Sequence, residues 1–468
     1  MSKNTSPAYA PTSCWDRPLS AAGRRAMHQL AVRYMGFLTR CKTERETVAH
    51  ALKTLEQHRI VAGREDTCLV RPFRHKSLFV ALRGTLPLRE GLHLICAHAD
   101  TPRLDLKQRP FIEQAQVAQA KTHYYGGIRK YQWLARPLAL HGTIVKADGS
   151  TVDVCLGERE SEPVFTIADL LPHLAQKQNT KPVSEAFEAE KLNIILAHSP
   201  LPGGRGGKGR DDRDGKDDKD RLKAHVLHLL WQKYGICEED CISAELQAVP
   251  AGPARFVGLD NALVGGYGQD DRICVFCGLE ALTGVEAPRH TVALMLWDKE
   301  EIGSEGATGA SSRFLQYCID EVRAAWEPRA RLADVMLATR ALSADVQAAL
   351  DPDWQEVHEK QNAALLGHGP CFSKFTGSRG KYGANDADAE FVGFMRNILN
   401  TQEIPWQMAE CGKVDWGGGG TVALHLAAYG MQVIDLGPAV LGMHSPFELT
   451  SVADLDATVR AFRAFYAA

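Results

Sequence analysis

Two neighbouring glutamates, Glu300 and Glu301, directly follow the apolar segment VALMLW and precede a glycine-rich turn. A carboxylate delivered by a buried strand is costly unless something compensates its charge. A divalent cation would compensate it, with one glutamate as ligand and the other taking a proton from the attacking water. The pair therefore indicates metal-assisted hydrolysis.

A histidine and an aspartate, His98 and Asp100, end the apolar run in HLICAHAD. Their two-residue spacing puts both side chains on one face of an extended strand. His98 could offer a ring nitrogen to a metal, while Asp100 orients the other nitrogen or serves as a ligand itself. A single histidine at a strand end is more often structural, so a metal site here requires further ligands.

Three more segments offer such ligands: Asp270 and Asp271 before an amphipathic helix, Asp345 after an apolar segment, and His444 after QVIDLG. Aspartates before a helix commonly only cap it, and Asp260 in FVGLDN is a similar carboxylate, so spacing leaves the choice among the three aspartates open. Together the nitrogen and oxygen atoms suit Zn²⁺ or a similar divalent ion. A carboxylate bridging two ions is a common arrangement for hydrolysis.

The elements that must position these residues are short apolar segments separated by helical patterns. The predicted strands are SLFVALRGT, HLICAHAD, RHTVALMLWD, ARLADVMLATRAL and QVIDLGPAV. The predicted helices include AAGRRAMHQLAVRYMGFLTR and ADAEFVGFMRNILN. This alternation predicts an α/β layered domain. In such a sheet ligands bind beyond the carboxyl ends of the strands, where the polar residues stand.

Residues 106–242 differ in character from the rest of the chain. The segment LALHGTIVKADGSTVDVCLG predicts a hairpin that turns at Asp148-Gly149. We interpret 1–105 and 243–468 as two parts of one catalytic domain, and 106–242 as an insert. Within the insert, residues 203–221 contain no apolar side chain and are predicted to form a mobile, charged surface loop.

The composition excludes several classes of protein. The chain has 468 residues, with 54 Lys and Arg against 57 Asp and Glu, so its net charge of −3 argues against a nucleic-acid binder. No window approaches about 18 uninterrupted apolar residues, which argues against a membrane protein. The first residues lack the basic and then apolar layout of a secretory signal, so a cytoplasmic location is expected.

Several motifs are long enough to be specific, among them HADTPRLD, YGQDDR, WDKEEIGSEG, LSADVQAALDP, GSRGKYGANDADAEF, KVDWGGGGTVA and LGMHSPFE. Read together and in order, they resemble the bacterial form of the aspartyl aminopeptidase family of zinc metallopeptidases. The resemblance covers most of the chain and is weakest in the first 60 residues and the charged loop. It implies a three-layer α/β/α zinc exopeptidase domain, split by an inserted β-rich dimerisation domain.

The resemblance also implies a reaction and an assembly. The family removes one N-terminal residue from peptides with a free N-terminus, and its chains form a tetrahedral homo-dodecamer built from dimers. Two divalent ions per subunit are implied, zinc first, with cobalt or manganese as alternatives. The rival interpretations are another two-metal amide hydrolase, such as a deacylase or carboxypeptidase, and a non-catalytic metal-stabilised assembly protein.

By position, the resemblance assigns roles to eight residues. Asp270 is preferred to Asp260 and Asp271 as the bridging ligand, because the family's aspartate stands just before the corresponding helix. The implied roles are His98, Asp270 and Asp345 on one metal, Asp270, Glu301 and His444 on the other, Glu300 as general base, Asp100 orienting His98, and Lys374 meeting an acidic side chain of the substrate. Lys381 in the same segment is a second candidate for binding the substrate.

Overall fold

The computed structural model describes residues 8–62, 66–201 and 220–468. Most of the charged loop predicted at 203–221 lies outside these residues. The described helices are α1 Ala21–Arg40, α2 Glu44–Gln57, α3 Gln176–Asn179, α4 Val183–Ala186, α5 Arg221–Tyr234, α6 Gln269–Leu282, α7 Phe314–Trp326, α8 Leu332–Ala338, α9 Ala389–Thr401, α10 Ala423–Ala427 and α11 Val452–Ala467.

The described strands are β1 Cys68–Phe73, β2 Ser77–Leu82, β3 Leu92–His98, β4 Arg103–Gln114, β5 Val117–Tyr125, β6 Leu138–Val145, β7 Thr151–Leu156, β8 Ile194–Ala197, β9 Ala244–Pro250, β10 Arg255–Val257, β11 Leu263–Gly266, β12 Thr291–Trp297, β13 Arg340–Ser343, β14 Gln347–Ala348, β15 Cys371–Ser373, β16 Gly377–Ser378, β17 Gln407–Met408, β18 Gly418–Gly419, β19 Gln432–Gly437, β20 Ala439–Leu441 and β21 Glu448–Ser451. The chain forms two compact units, each with most of its residue contacts inside itself. The first is Met1–Thr101 with Ala254–Ala468, and the second is Pro102–Pro253.

An eight-stranded sheet forms the centre of the first unit, in the order β1-β2-β12-β3-β13-β19-β15-β17. Its central strands β12, β3, β13 and β19 run parallel. Every residue of β12 is buried, and its side chains alternate between two hydrophobic clusters. Val292, Leu294 and Leu296 pack into one cluster, with α1, α2, α6, α9 and α11. Ala293, Met295 and Trp297 pack into the other, with α7, α8 and α10.

Because successive strand side chains point to opposite faces, a strand buried in this way must have a helical layer on each side. The structure thus confirms the predicted three-layer α/β class.

One of the predicted strands is wrong in part. In ARLADVMLATRAL, residues Leu332–Ala338 form α8 and only the last residues enter β13. Leu332, Val335 and Met336 recur at helical spacing, and a short apolar run of this kind does not separate helix from strand.

A second, five-stranded sheet of the first unit has the order β10-β11-β21-β20-β14. In it β21 lies between β11 and β20, antiparallel to both. The strand β11 leads into α6, and the loop between β20 and β21 carries His444. This small sheet therefore holds the segments before Asp270 and around His444 side by side.

The second unit contains a six-stranded sheet in the order β7-β6-β9-β4-β5-β8, with antiparallel pairing throughout. The predicted hairpin is β6–β7, and Gly149 in its turn has a φ of 82°. The unit extends beyond 106–242, because β9 pairs with both β4 and β6 and so belongs to this sheet. No helix of the described residues is both long and apolar enough to span a membrane.

Candidate metal centre

Parallel strands bring three of the predicted ligand segments to one edge of the large sheet. His98 is the last residue of β3, Glu300 and Glu301 begin a short 3₁₀ turn after β12, and Asp345 follows β13 by two residues. These strands are neighbours, in the order β12-β3-β13. Their carboxyl ends therefore deliver the side chains to a common place, as expected for an open α/β sheet.

His98 is the centre of a first group of side chains. Its Nε2 atom lies 3.3 Å from Asp270 Oδ1, 3.7 Å from Asp345 Oδ1 and 3.9 Å from Glu300 Oε2. The His98 side chain is only 2% exposed. One buried ring nitrogen thus faces three carboxylates, an arrangement that suits a divalent cation between them.

His444 is the centre of a second group. Its Nε2 atom lies 3.1 Å from Asp270 Oδ2 and 3.4 Å from Glu301 Oε2. Asp270 therefore faces one histidine with each of its two oxygens. A carboxylate in this position could bridge two ions, one on the side of each histidine.

Asp100 contacts both His98 and the glutamate pair of the predicted ligand set. Its carboxylate accepts hydrogen bonds from the backbone N–H groups of Glu300 at 3.1 Å and Glu301 at 3.2 Å. The Nδ1 atom of His98 lies 3.1 Å from the backbone oxygen of Asp100 and 3.4 Å from its Oδ1. Asp100 thus contacts the histidine ring and fixes the main chain of the glutamate pair.

The three candidate aspartates are separated by their surroundings. Asp260 is exposed and accepts a hydrogen bond from Ala262 N–H, within its own loop. Asp271 is fully buried and accepts a hydrogen bond from the backbone N–H of His98 at 3.3 Å. Of the three, Asp270 is the one that faces both histidines.

Burial dominates the electrostatics of the site. It raises the pKa of Glu300 to about 8, and the neighbouring carboxylates add to the rise. It also raises the pKa of Glu301 and of Asp345, again with help from nearby negative charge. A cation or a proton beside these carboxyl groups therefore offsets the cost of their burial.

For the two histidines and Asp270, the surroundings favour the charged form of the side chain. Burial alone would lower the histidine pKa values, but the carboxylates around them raise the pKa of His98 well above its usual value and that of His444 to about 11. Burial would raise the pKa of Asp270, yet the adjacent imidazole rings of His444 and His98 hold it below its ordinary value. Positive charge between the carboxylates is thus what the site stabilises.

The residues fit divalent cations by a further criterion. Asp270 Oδ1 and Glu301 Oε1 are buried and accept no hydrogen bond from any residue that the structure describes. Such acceptors are costly unless a cation or proton satisfies them. Nitrogen from two histidines and oxygen from three carboxylates is the ligand chemistry of Zn²⁺ and related ions.

A cavity of about 840 Å³ opens onto this cluster. Lys381 lines it, pairs with Asp386 at 3.0 Å and places its Nζ 3.9 Å from the centre of the Phe375 ring. Lys374 has an exposed side chain and does not line the cavity. Two basic residues that the sequence analysis passed over, Arg379 and Lys413, do line it.

Two buried carboxylates behind the site were also missed. Glu448 accepts hydrogen bonds from the backbone of Asp270 and of His444, and Asp435 accepts one from the Thr421 hydroxyl at 2.7 Å. Burial raises the pKa of Glu448 to about 8 and that of Asp435 to about 7. The only signal in the sequence was that each lies in or next to an apolar strand, where a charged residue requires a reason.

Residues 37–466 match the family described as aminopeptidase I zinc metalloprotease (M18). A probable M18 family aminopeptidase 1 of Clostridium acetobutylicum is 44% identical over 448 residues, which are 93% of this chain and 94% of that protein. The crystal structure of an M18 family aminopeptidase from Thermotoga maritima superposes with a TM-score of 0.90 at 40% identity, covering 98% of this chain and 99% of that one.

A more distant structure, the mApe1 dodecamer of S. cerevisiae, has a TM-score of 0.75 at 20% identity, covering 94% of this chain and 97% of that one. At this identity the likeness concerns the fold alone.

Proposed function

Because the chain belongs to the M18 family of zinc metalloproteases, we propose that it holds two divalent ions and uses them to remove the N-terminal residue of peptides. The chain is a metalloaminopeptidase, as its family and its relatives at high coverage indicate. The observation that carries the two-ion proposal is Asp270, whose two oxygens face His98 and His444 separately.

The proposed ligands divide between the two histidines. His98, Asp270 and Asp345 would hold one ion, and Asp270, Glu301 and His444 the other. Zinc is the proposed metal because the family uses it, with cobalt or manganese as alternatives. When bound, such ions supply Lewis acidity that lowers the pKa of water and stabilises negative charge on the scissile carbonyl.

Glu300 is the proposed general base. Its carboxylate would accept the proton of the attacking water and later give that proton to the nitrogen of the leaving amine. Two features support this role. The Glu300 carboxylate is 14% exposed and lines the cavity, and its backbone is fixed by Asp100. A general base must be within reach of substrate and yet be held in place.

The experiment that tests this function measures metal and product together. Purified protein should contain about two zinc ions per chain, lose activity to a strong chelator and release only the first residue of an unblocked peptide. An N-acetylated peptide should remain intact. Release of the acetyl group would favour a deacylase, and release of the last residue would favour a carboxypeptidase. Active protein without bound metal would exclude the proposal.

We further propose that the first residue of the substrate is Asp or Glu. Lys374 is assigned to the acidic side chain by resemblance, and Lys381 is supported by its place on the cavity wall. A lysine ammonium can meet a carboxylate over a range of positions, and an unpaired partner would cost about 1–3 kcal/mol. Substitution of the responsible lysine by alanine should therefore reduce kcat/KM for Glu-initiated peptides about tenfold to over a hundredfold more than for Leu-initiated ones.

Comparison of Lys374→Ala with Lys381→Ala decides which lysine is responsible. Equal loss on all substrates in both variants would give these lysines a structural role. A wild-type enzyme that prefers Leu would exclude the acidic preference.

The second unit, Pro102–Pro253, is the proposed dimerisation element, and the proposed assembly is a cytoplasmic homo-dodecamer built from dimers. The resemblance supports the proposal, and the yeast dodecamer supports it as a protein of the same fold. Light scattering coupled to size-exclusion chromatography should give a mass of about twelve chains. Turnover by a monomeric protein that lacks the second unit would exclude a need for assembly.

A further inference from the structure

A single buried carboxylate connects the two segments that carry Asp270 and His444. Glu448, the first residue of β21, is 1% exposed. Its Oε2 atom accepts hydrogen bonds from the backbone N–H groups of Gln269 and, at 3.2 Å, Asp270. Its Oε1 atom accepts one from the backbone N–H of His444 at 2.8 Å. Each oxygen thus holds a different segment.

Neither Asp270 nor His444 itself has regular helix or strand geometry. Asp270 has non-helical φ and ψ angles although it stands within the bounds of α6. His444 has a φ of 63°, in the left-handed region that residues other than glycine seldom occupy. A conformation of this kind persists only where the surroundings fix it. Glu448 supplies such a contact at both positions.

The hydrogen-bonding capacity of a carboxylate explains the residue type. Each of the two oxygens of a glutamate side chain can accept hydrogen bonds, so one glutamate can serve three N–H donors at once. A glutamine of the same shape keeps one acceptor oxygen but presents an N–H₂ group on the other side. That group would face a backbone N–H, and one of the two segments would lose its partner.

We propose that Glu448 is a positioning residue of the metal centre, which holds Asp270 and His444 at the spacing that one ion requires. The inference rests on the proposed two-ion function and adds a residue that touches neither ion nor substrate. Groups that orient metal ligands commonly change metal affinity about 10- to 100-fold when they are replaced. The ion assigned to Asp270, Glu301 and His444 is therefore the one that Glu448 affects.

A matched control is available in the same unit. Asp454 is also fully buried and accepts two backbone N–H groups, those of Gly367 and Gly369, both at 2.7 Å. None of these residues belongs to the metal cluster. Asp454→Asn therefore reports the cost of weakening a buried carboxylate, without a change at the metal site.

The experiment compares wild type, Glu448→Gln, Glu448→Asp and Asp454→Asn as full-length protein. Bound metal is removed, zinc is titrated back against a chromophoric chelator, and Tm and kcat are followed at each zinc concentration. We expect Glu448→Gln to bind one of its two zinc ions about 10- to 100-fold more weakly and to regain kcat at high zinc. Asp454→Asn should lose Tm while its zinc affinity stays at the wild-type value.

Glu448→Asp keeps the charge but is one methylene shorter, so it should anchor one segment and lose the other. This variant decides the matter where the glutamine variant does not fold. Wild-type zinc affinity at both sites in the folded Glu448 variants would overturn the inference and leave the proposed function intact. A wild-type protein that binds no zinc would overturn both.

Discussion

At the scale of single residues, the glutamate pair shows how neighbours of the same type acquire different environments. Asp100 binds the backbone of both Glu300 and Glu301. Their side chains nevertheless diverge, with Glu301 3.4 Å from His444 and Glu300 3.9 Å from His98. The Glu301 side chain is 4% exposed, against 14% for Glu300. The more buried glutamate suits a ligand and the more accessible one suits a base.

Replacement of each glutamate by glutamine should separate these roles. Glu300→Gln removes the proton acceptor, so we expect kcat to fall by about 10²- to 10⁴-fold with both zinc ions retained. Glu301→Gln removes a charged ligand, so we expect weaker binding of one zinc ion. Zinc content and steady-state kinetics of both variants provide the measurement. If Glu300→Gln loses zinc as readily as Glu301→Gln, then Glu300 is a ligand and the base must be sought elsewhere.

At the scale of elements, the packing of strand ends determines where the proposed metal ligands lie. The strand β19 ends at Gly437, next to the segment that carries Asp345. A Cβ atom at Gly437 would lie 2.0 Å from the carbonyl oxygen of Asp345, closer than van der Waals contact allows. The glycine therefore permits Asp345 to approach the sheet edge that holds His98.

We expect Gly437→Ala to displace Asp345, to destabilise the fold by roughly 1–3 kcal/mol and to weaken zinc binding. Gly393→Ala is the control, because a Cβ on this exposed residue of α9 meets no atom within 4 Å. Alanine in a helix should stabilise by roughly 0.5–1 kcal/mol. Urea unfolding and zinc titration of both variants test the comparison. Unchanged zinc affinity in Gly437→Ala would mean that Asp345 does not depend on this contact.

At the scale of the whole molecule, buried carboxyl groups link stability to pH and metal. Burial raises their pKa values in the folded protein to about 8 for Glu300 and Glu448 and to about 7 for Asp435 and Asp454. Because these values exceed those of the unfolded chain, the folded state binds more protons. Their contribution to stability is complete at low pH and is lost as pH rises through the folded values.

We therefore expect the Tm of chelator-treated protein to fall between about pH 6.5 and about pH 8, a range above the titration of unfolded histidine and acidic side chains. Zinc should raise Tm more at the upper end of this range, because metal and protons compete for the same ligands. Thermal scans with and without zinc test this. A Tm of the metal-free protein that rises over the range would contradict it, and Asp454→Asn should make the fall shallower.

Local patterns in the sequence were sufficient to predict the fold class and to suggest the residue types of the proposed metal centre. The uninterrupted apolar run VALMLW predicts a central strand, and the carboxylates that follow it predict a cation, because burial of unpaired charge is costly in any fold. The residues of the motifs and their order along the chain were sufficient to identify the family. The misassigned segment at α8 shows the limit of such patterns, since short apolar runs satisfy both periodicities.

Tertiary structure decided which of the predicted groups meet. Of Asp260, Asp270 and Asp271, it is Asp270 that faces two histidines, which are 172 and 174 residues away along the chain, and no local spacing contains that information. Local spacing likewise does not show that Lys374 is absent from the cavity wall. Nor does it distinguish Glu448 from an ordinary strand residue, because its three backbone partners lie in other segments of the chain. The sequence indicates which types of residue form the site, because the cost of burying a charge arises at each residue by itself. It does not indicate which of these residues come together, because Coulomb and coordination contacts join residues that are distant along the chain.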